Sequence, residues 1–202
     1  MVNEKERIIK KMGTICTILY PDGAEKQSKF FVRKATSQFT NMIAIESQRK
    51  GDFLYVDNIT GGCIVTNNVS NESYLVVATN SETFRDMVLS TVTSMFICNS
   101  FLTVYSLRQT ADENGNITKN PEVILDDCKV YSQVVDQTLK QYAPGLHEET
   151  EFIIYAPYFK INTLDQLVLT SSFDNYRLKV VASYTVNYPG IVVIEAKTET
   201  RK

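Results

Sequence analysis

His147 is the only histidine of the chain, and imidazole is the side chain best suited to acid–base chemistry near neutral pH. It lies in the segment GLHEET, among acidic residues. A catalytic triad needs a histidine held by a carboxylate beside a nucleophile in a sharp turn, and no Gly-x-Ser-x-Gly motif is present. Asp126 and Asp127 are adjacent, so in a strand they face opposite sides and cannot share one reacting centre. These residues favour a surface histidine in a linker and a polar break in a strand, not a catalytic site.

The four cysteines, Cys16, Cys63, Cys98 and Cys128, are separated by tens of residues and form no Cys-x-x-Cys pair. A zinc or redox motif is therefore disfavoured, and buried reduced thiols are expected. Gly61-Gly62 lacks the Lys and the Ser or Thr of a phosphate-binding loop, so we interpret it as a hairpin turn. No metal or cofactor is expected.

Charge and apolar patterning restrict the class of partner. The formal net charge is −2, but residues 1–50 hold ten Lys or Arg against five acids, whereas residues 51–202 hold eleven against eighteen. This indicates either a solvated basic end or a basic edge that docks onto an acidic neighbour. The aromatic residues are not interleaved with a basic patch, as single-strand binders require. We expect no signal peptide and no membrane span, because no run approaches the roughly 18 apolar residues that a span needs.

The elements that must position these residues are mostly strands. Residues 2–11 predict a short helix, and short apolar runs closed by Gly, Asn, Asp or Ser follow from Gly13 onward. Within 84–98 the apolar spacing is ambiguous, and we expect a helical turn near 84–89 before a strand. The pattern predicts an all-β fold of two small barrel or sandwich lobes. The predicted division of the chain is an N-terminal extension at 1–12, a first lobe at 13–141 and a second lobe at 142–202. Strands can be shared between the two lobes.

Two stretches of the chain resemble each other in order and texture. FLYVD, CIVT and SYLVVAT are followed about a hundred residues later by FIIYA, LVLT and NYRLKVVAS. These segments predict strands at 53–56, 63–66 and 74–79 and, in the same order, at 152–155, 167–170 and 176–184. A duplicated β unit would explain this, and so would the shared preference of all strands for aromatic and β-branched residues. Both explanations predict two similar β lobes.

The polar segment TADENGNITKNPE, residues 110–122, predicts a long loop with a turn at Asn114-Gly115. Long ordered loops in compact domains often make contacts, although a mobile exposed tip is an equal alternative. The candidate contact residues in this loop are Asp112, Glu113, Asn114, Gly115, Asn116, Ile117 and Lys119.

The stretch FICNSFLTVYSLRQTADENGNITKNPEVI resembles head–tail neck proteins of tailed bacteriophages that infect Firmicutes. In those proteins a Cys-Asn pair closes one strand and an Asp/Asn-Gly-x-Ile turn leads to a proline, and Cys98-Asn99, Asn114–Ile117 and Pro121 fill these places here. The segment from INTLDQLVLTSS to the YPGI before the last strand is similar to the closing lobe of the same group. The resemblance covers roughly residues 50–200 and is one of pattern at low identity.

The resemblance implies a structural virion protein of the stopper or head-closure type, without catalytic activity. Such a protein forms a homo-oligomeric ring below the portal, retains the packaged double-stranded DNA without reading its sequence, and docks the tail. Its expected partners are itself, a portal or adaptor ring above and tail proteins below. It would assemble in the bacterial cytoplasm and reside in the neck of the virion. A tail or baseplate adaptor is the alternative, and a small β-fold cell-wall hydrolase is the less favoured one.

Overall fold

The computed structural model describes residues 4–36, 45–84, 87–111, 117–143, 145–172, 174–185 and 187–199. The first described element is a helix, α1 (Glu4–Met12), whose acidic first turn and basic last turn complement the helix dipole. It ends where the N–H of Gly13 donates to the carbonyl of Ile9, 2.8 Å away. Ile9 is fully buried, so α1 packs onto the strands that follow it. The predicted N-terminal helix is confirmed.

Six antiparallel strands from residues 14–97 close into the first barrel, in the order β1-β2-β3-β6-β5-β4. The PDG turn at residues 21–23 lies between β1 and β2, as the sequence predicts. The interior is filled by alternate side chains of these strands, including Ile18, Phe30, Phe53, Tyr74 and Met95. The strands are β1 (Thr14–Leu19), β2 (Glu25–Lys34), β3 (Gln48–Phe53), β4 (Ile64–Asn67), β5 (Ser73–Phe84) and β6 (Met87–Ile97).

Six further antiparallel strands close into the second barrel, in the order β10-β11-β12-β9-β8-β7. A short helix, α2 (Gln137–Tyr142), lies between its second and third strands, and Asp136 caps α2 by accepting the N–H of Leu139 at 2.7 Å. The strands are β7 (Ser100–Ala111), β8 (Ile117–Val134), β9 (Phe152–Pro157), β10 (Gln166–Ser171), β11 (Asn175–Tyr184) and β12 (Ile191–Thr198).

The two barrels share one topology, because each pairing of β1 to β6 recurs between the corresponding strands β7 to β12. The pair Thr14–Phe30 of the first barrel corresponds to the pair Ser100–Val130 of the second. Counting from these pairs gives, for each strand residue of one barrel, the equivalent residue of the other.

The Val-Val-Ala match of the sequence comparison holds in register. Its other two matches slip: Phe53 is equivalent to Ala156 and not to Phe152, and CIVT is displaced by two residues from LVLT. The expected strand at 53–56 is wrong, because β3 ends at Phe53 and Tyr55–Asp57 is a short 3-10 helix.

Two boundaries differ from the sequence interpretation. The barrels meet at residues 98–99, between β6 and β7, and not at 142–150. The Pro- and Gly-containing segment at 142–150 is instead the connection from β8 to β9 within the second barrel, so it resembles a linker only in composition. Residues 87–97 are the strand β6, so the expected helical turn near 84–89 is wrong, in keeping with the β-branched residues there.

The barrels pack against each other through a shared apolar core. The ring of Phe96 lies 5.4 Å from that of Tyr131 and 5.2 Å from that of Tyr155, between ring centroids, with Tyr155 edge-on. The interface therefore resembles the core of a domain and not a polar contact between domains. Its buried members are Ile64, Leu75, Val77 and Phe96 from the first barrel and Tyr131, Leu139, Ile153, Tyr155 and Ile191 from the second.

Gly61-Gly62 is a turn, but it is not the expected hairpin turn, because the strands on either side of it, β3 and β4, do not pair with each other. At this turn the backbones of the two barrels lie close together. A Cβ on Gly61 would lie 2.0 Å from the carbonyl oxygen of Pro189, and one on Gly62 would lie 2.2 Å from that of Gly190. Gly62 also has a φ of +87°, in the left-handed region that favours glycine. The absence of side chains at this turn is thus a condition of barrel packing.

Candidate functional site

The longest hairpin of the protein extends beyond the second barrel. β7 pairs with β10 only as far as Tyr105, opposite Gln166, and β8 pairs with β9 only from Tyr131 onward. Residues 106–111 and 117–122 pair with each other, from Ser106 opposite Glu122 to Ala111 opposite Ile117. These two segments are called the hairpin arm below. At the equivalent place in the first barrel, β1 ends at Leu19 and β2 begins at Glu25, so the arm belongs to the second barrel alone.

The arm replaces most of the predicted contact loop. Ile117 and Lys119 lie in β8, opposite Ala111 and Gln109, so the expected loop at 110–122 is largely strand. The segment is polar, but its threonines and isoleucine are β-branched and suit a strand, which the loop interpretation overlooked. Asp112, Glu113, Asn114, Gly115 and Asn116 lie outside the described residues.

The base of the arm is built on an irregular stretch of β8. Its register against β7 shifts twice between Leu102 and Tyr105. Asp127 has a φ of +46°, its N–H donates to Thr103 Oγ1 at 3.2 Å, and the Thr103 hydroxyl donates to Asp126 at 3.4 Å. The Asp126-Asp127 pair therefore forms a bulge that re-aims the strand, which is a structural role.

Beyond this bulge, residues 121–124 of β8 are exposed on both faces. Val123 and Ile124 are consecutive, so their side chains point to opposite faces, and yet they are 51% and 39% exposed. A two-stranded ribbon that no further strand flanks is only marginally stable by itself. Its backbone edges are available for pairing with another chain.

His147 is exposed, as expected, but it does have a carboxylate partner. Its Nδ1 lies 3.2 Å from Oε2 of Glu195, and its backbone N–H donates to the same oxygen at 3.0 Å. The buried hydroxyl of Thr150 also donates to this oxygen. His147 and Thr150 thus meet through Glu195, whereas a triad requires the hydroxyl to bond to the imidazole.

Glu195 is a carboxylate buried in the apolar strand β12 and is only 1% exposed. Burial acts to raise its pKa, but hydrogen bonds from Thr150, the His147 N–H and Tyr184 outweigh burial and lower the pKa below its ordinary value. The residue therefore remains ionised inside the protein. The sequence analysis missed it, although a charged residue within the apolar run GIVVIEA was the available signal.

A pocket of about 320 Å³ opens beside Glu195. Its walls come from the turn after α2, from strands β9, β11 and β12 of the second barrel, and from the connection between β11 and β12. Three tyrosines line it, Tyr155, Tyr184 and Tyr188. The pocket is adjacent to the interface core, to which Tyr155 belongs and against which Tyr188 packs.

The four cysteines are free thiols, with Cys16 and Cys63 buried and the other two half-buried. Burial raises the pKa of Cys16 and of Cys98 to about 12, and that of Cys128 to about 11. Such thiols are poor nucleophiles at neutral pH. Among the described residues, no cluster of three or more His, Cys, Asp or Glu side chains could hold a metal ion. No helix within those residues has the length and hydropathy to cross a bilayer.

No protein-family model matches the chain, and no curated protein matches it. The solution structure of protein SF1141 from Shigella flexneri 2a is similar at 18% identity and a TM-score of 0.40. The similarity covers 52% of this chain and 94% of that one.

Proposed function

We propose that this chain is a non-catalytic structural protein of a tailed-phage virion, a ring-forming head-to-tail connector of the stopper type. The observation that carries the proposal is the hairpin arm, which extends beyond a protein otherwise built of two closed barrels. The resemblance of the segment around the arm to neck proteins supplies the biological setting. The ring would lie below the portal, above the tail proteins, with packaged DNA in its lumen.

The arm suits a ring because closed barrels leave few other edges for pairing. Strands within the closed part of a barrel have no free edge, whereas the arm offers two. The tip of the β5–β6 hairpin, where residues 82–84 pair with residues 87–90, offers shorter ones. A subunit that inserts one element into a different surface of its neighbour makes a heterologous contact, and such contacts form a ring when the rotation from one subunit to the next closes. The partner surface would add the hydrogen bonds that an isolated ribbon lacks.

The lack of a catalytic arrangement is part of the proposal. His147 and Thr150 both bond to Glu195 and not to each other, so the one histidine is not positioned to activate that hydroxyl. A connector needs only complementary surfaces and satisfied loops. A cell-wall hydrolase would need a nucleophile and a base in hydrogen-bond reach of one another.

The test of the proposal is removal of the arm. One variant joins Tyr105 to Val123 through Asn-Gly, and a matched variant keeps the arm strands and replaces only residues 112–116 by Asn-Gly. Both should fold, because shortening a loop changes its closure entropy by only about 1 kcal/mol. We expect the first variant to lose ring formation, measured by light scattering, and to yield no filled and tailed particles.

The matched variant separates the strands of the arm from its tip. Loss of assembly in both variants assigns the contact to the tip, and loss only in the first assigns it to the arm strands. Infectious, tailed particles from both variants would refute the connector proposal. Reconstruction of wild-type particles adds a second measurement, since density at the distal tail would support the adaptor alternative and absence from particles would exclude both.

A further inference from the structure

The pocket beside Glu195 has the size of a small-molecule site. Its volume of about 320 Å³ lies at the lower end of the range of roughly 300–1,000 Å³ for ligand pockets. Leu146, Ile153 and Val193 supply apolar wall. The connector proposal assigns no role to this pocket, and it lies on the barrel face beside the interface, not on the arm.

Aromatic side chains provide much of the rest of the wall. The rings of Tyr155 and Tyr188 have centroids 6.1 Å apart and planes inclined at 67°, so they form two walls that differ in direction. Tyr184 lines the pocket from the solvent side and is 39% exposed. A set of differently oriented aromatic rings around a small volume attracts a cation, because each ring carries negative potential on its face.

The charge of the pocket comes from Glu195. Within the part of the chain that the structure describes, its ion-pair partner is His147, and no lysine or arginine pairs with it. Lys197, two residues along the same strand, pairs with Glu149 instead. Thr150, the backbone N–H of His147 and Tyr184 donate hydrogen bonds to the carboxylate, and none of these three donors carries a positive charge.

We propose that this pocket binds a small organic ammonium ion between the three tyrosines, with the carboxylate of Glu195 as counter-ion. The combination is specific for that class. An anion would face a buried carboxylate, and a neutral apolar molecule would gain nothing from that charge. A bare metal ion would find one carboxylate where it needs several oxygen ligands.

The experiment compares choline with 3,3-dimethylbutan-1-ol, which has the same shape and no charge, by isothermal titration and by chemical shifts of the tyrosine rings. We expect choline to bind saturably and to shift the resonances of the pocket tyrosines. The uncharged alcohol should bind at least about tenfold more weakly, which corresponds to about 1.4 kcal/mol. Equal binding of the two compounds would overturn the proposal, as would no binding of choline at millimolar concentration.

Substitutions at an exposed ring keep the test independent of folding. Tyr184→Leu removes one aromatic wall and should weaken choline binding about tenfold, whereas Tyr184→Phe keeps the ring and should stay within about threefold. Tyr158→Leu is the matched control, because Tyr158 is 58% exposed and lies outside the pocket. Glu195→Gln should reduce binding further, with its fold checked by circular dichroism. Wild-type affinity in Tyr184→Leu would refute the aromatic site.

Discussion

Val77 in β5 and Val181 in β11 are the extra residues of two β-bulges at the same position of the two barrels. In the first barrel the pairing steps from Val76–Met95 to Ala78–Ser94, and in the second it steps from Val180–Ala196 to Ala182–Glu195. The repeated Val-Val-Ala thus marks one structural device, a bulge that lets a long strand bend around a small barrel.

The two bulged valines differ in what they contact, which allows a matched stability test. Val77 is 1% exposed and packs in the core between the barrels, whereas Val181 is half-buried at the surface. We expect Val77→Ala to lower the free energy of unfolding by about 1–3 kcal/mol and Val181→Ala by less than about 1 kcal/mol. Urea unfolding measures both. Equal losses would mean that the inter-barrel core does not stabilise the fold.

The glycine turn between the barrels offers a second matched pair. Gly62 and Gly23 both have positive φ, but a Cβ on Gly62 would collide with Gly190 and one on Gly23 would meet nothing within 4 Å. Gly23→Ala should therefore cost only the conformational strain of about 1–2 kcal/mol. We expect Gly62→Ala to cost more than about 3 kcal/mol by chemical denaturation. A similar cost for the two substitutions would exclude close backbone packing at this turn.

Much of the architecture could be predicted because local signals agreed with it. Pro21-Asp22-Gly23 marks the turn of the first hairpin, and the Val-Val-Ala repeat marks equivalent strands. The boundary between the barrels could not be predicted, because Cys98-Asn99 contains neither proline nor glycine, whereas the segment at 142–150 contains both. Composition reports where the backbone turns, and it does not report which strands close into one barrel.

The site was harder to predict than the fold. Glu195 and His147 are 48 residues apart, and their contact depends on β12 passing the turn after α2. The helix α2 itself was missed, since its cap Asp136 lies in a stretch that continues an apolar strand pattern. The arm was misjudged because polarity was taken as a loop signal, although its threonines and isoleucine are β-branched and suit a strand.

The depressed pKa of Glu195 predicts a loss of stability in acid. A carboxyl whose pKa is lower in the folded than in the unfolded state stabilises the fold fully above its ordinary value, near 4.5. That contribution disappears as the pH falls below 4.5 through the folded-state value. The pKa values of Glu82 and Glu151 are also lowered, so they share the effect. We expect the free energy of unfolding of Glu195→Gln to vary less between pH 6 and pH 3 than that of wild type. Parallel curves would show that the Glu195 pKa is not depressed.

The thiols should be unreactive in the folded protein. With a pKa of about 11, Cys128 has a thiolate fraction on the order of 10⁻³ at pH 8. We expect iodoacetamide to modify all four cysteines within minutes in urea, and almost none of them natively at pH 8. Native labelling of Cys128, followed by mass spectrometry, should rise about tenfold per pH unit from pH 8 to pH 10. Labelling at the rate of a free cysteine at pH 8 would contradict the raised pKa.

The two barrels form a stack, and polar residues lie on the outer face at each end of it. Register places Lys179 and Lys197 of the second barrel where Leu75 and Phe96 of the first contact their neighbour. At the other end of the stack, Asp52 is equivalent to the interface residue Tyr155 and is paired with Lys5 of α1, 3.2 Å away. Repeat proteins need such polar terminal faces in order to remain soluble.

Lys179→Leu combined with Lys197→Phe should therefore create a second apolar face. Because the opposite end is polar and covered by α1, the new face can pair only with itself, and such an isologous contact closes as a dimer. We expect sedimentation at micromolar concentration to show that the variant dimerises through the new face, in addition to any assembly that the wild type forms. Lys34→Leu with Lys160→Phe, which makes the same two residue changes at two exposed positions, should leave assembly unchanged. Open chains of the first variant would show that α1 does not block its end of the stack, and an unchanged assembly would show that the two lysines do not terminate it.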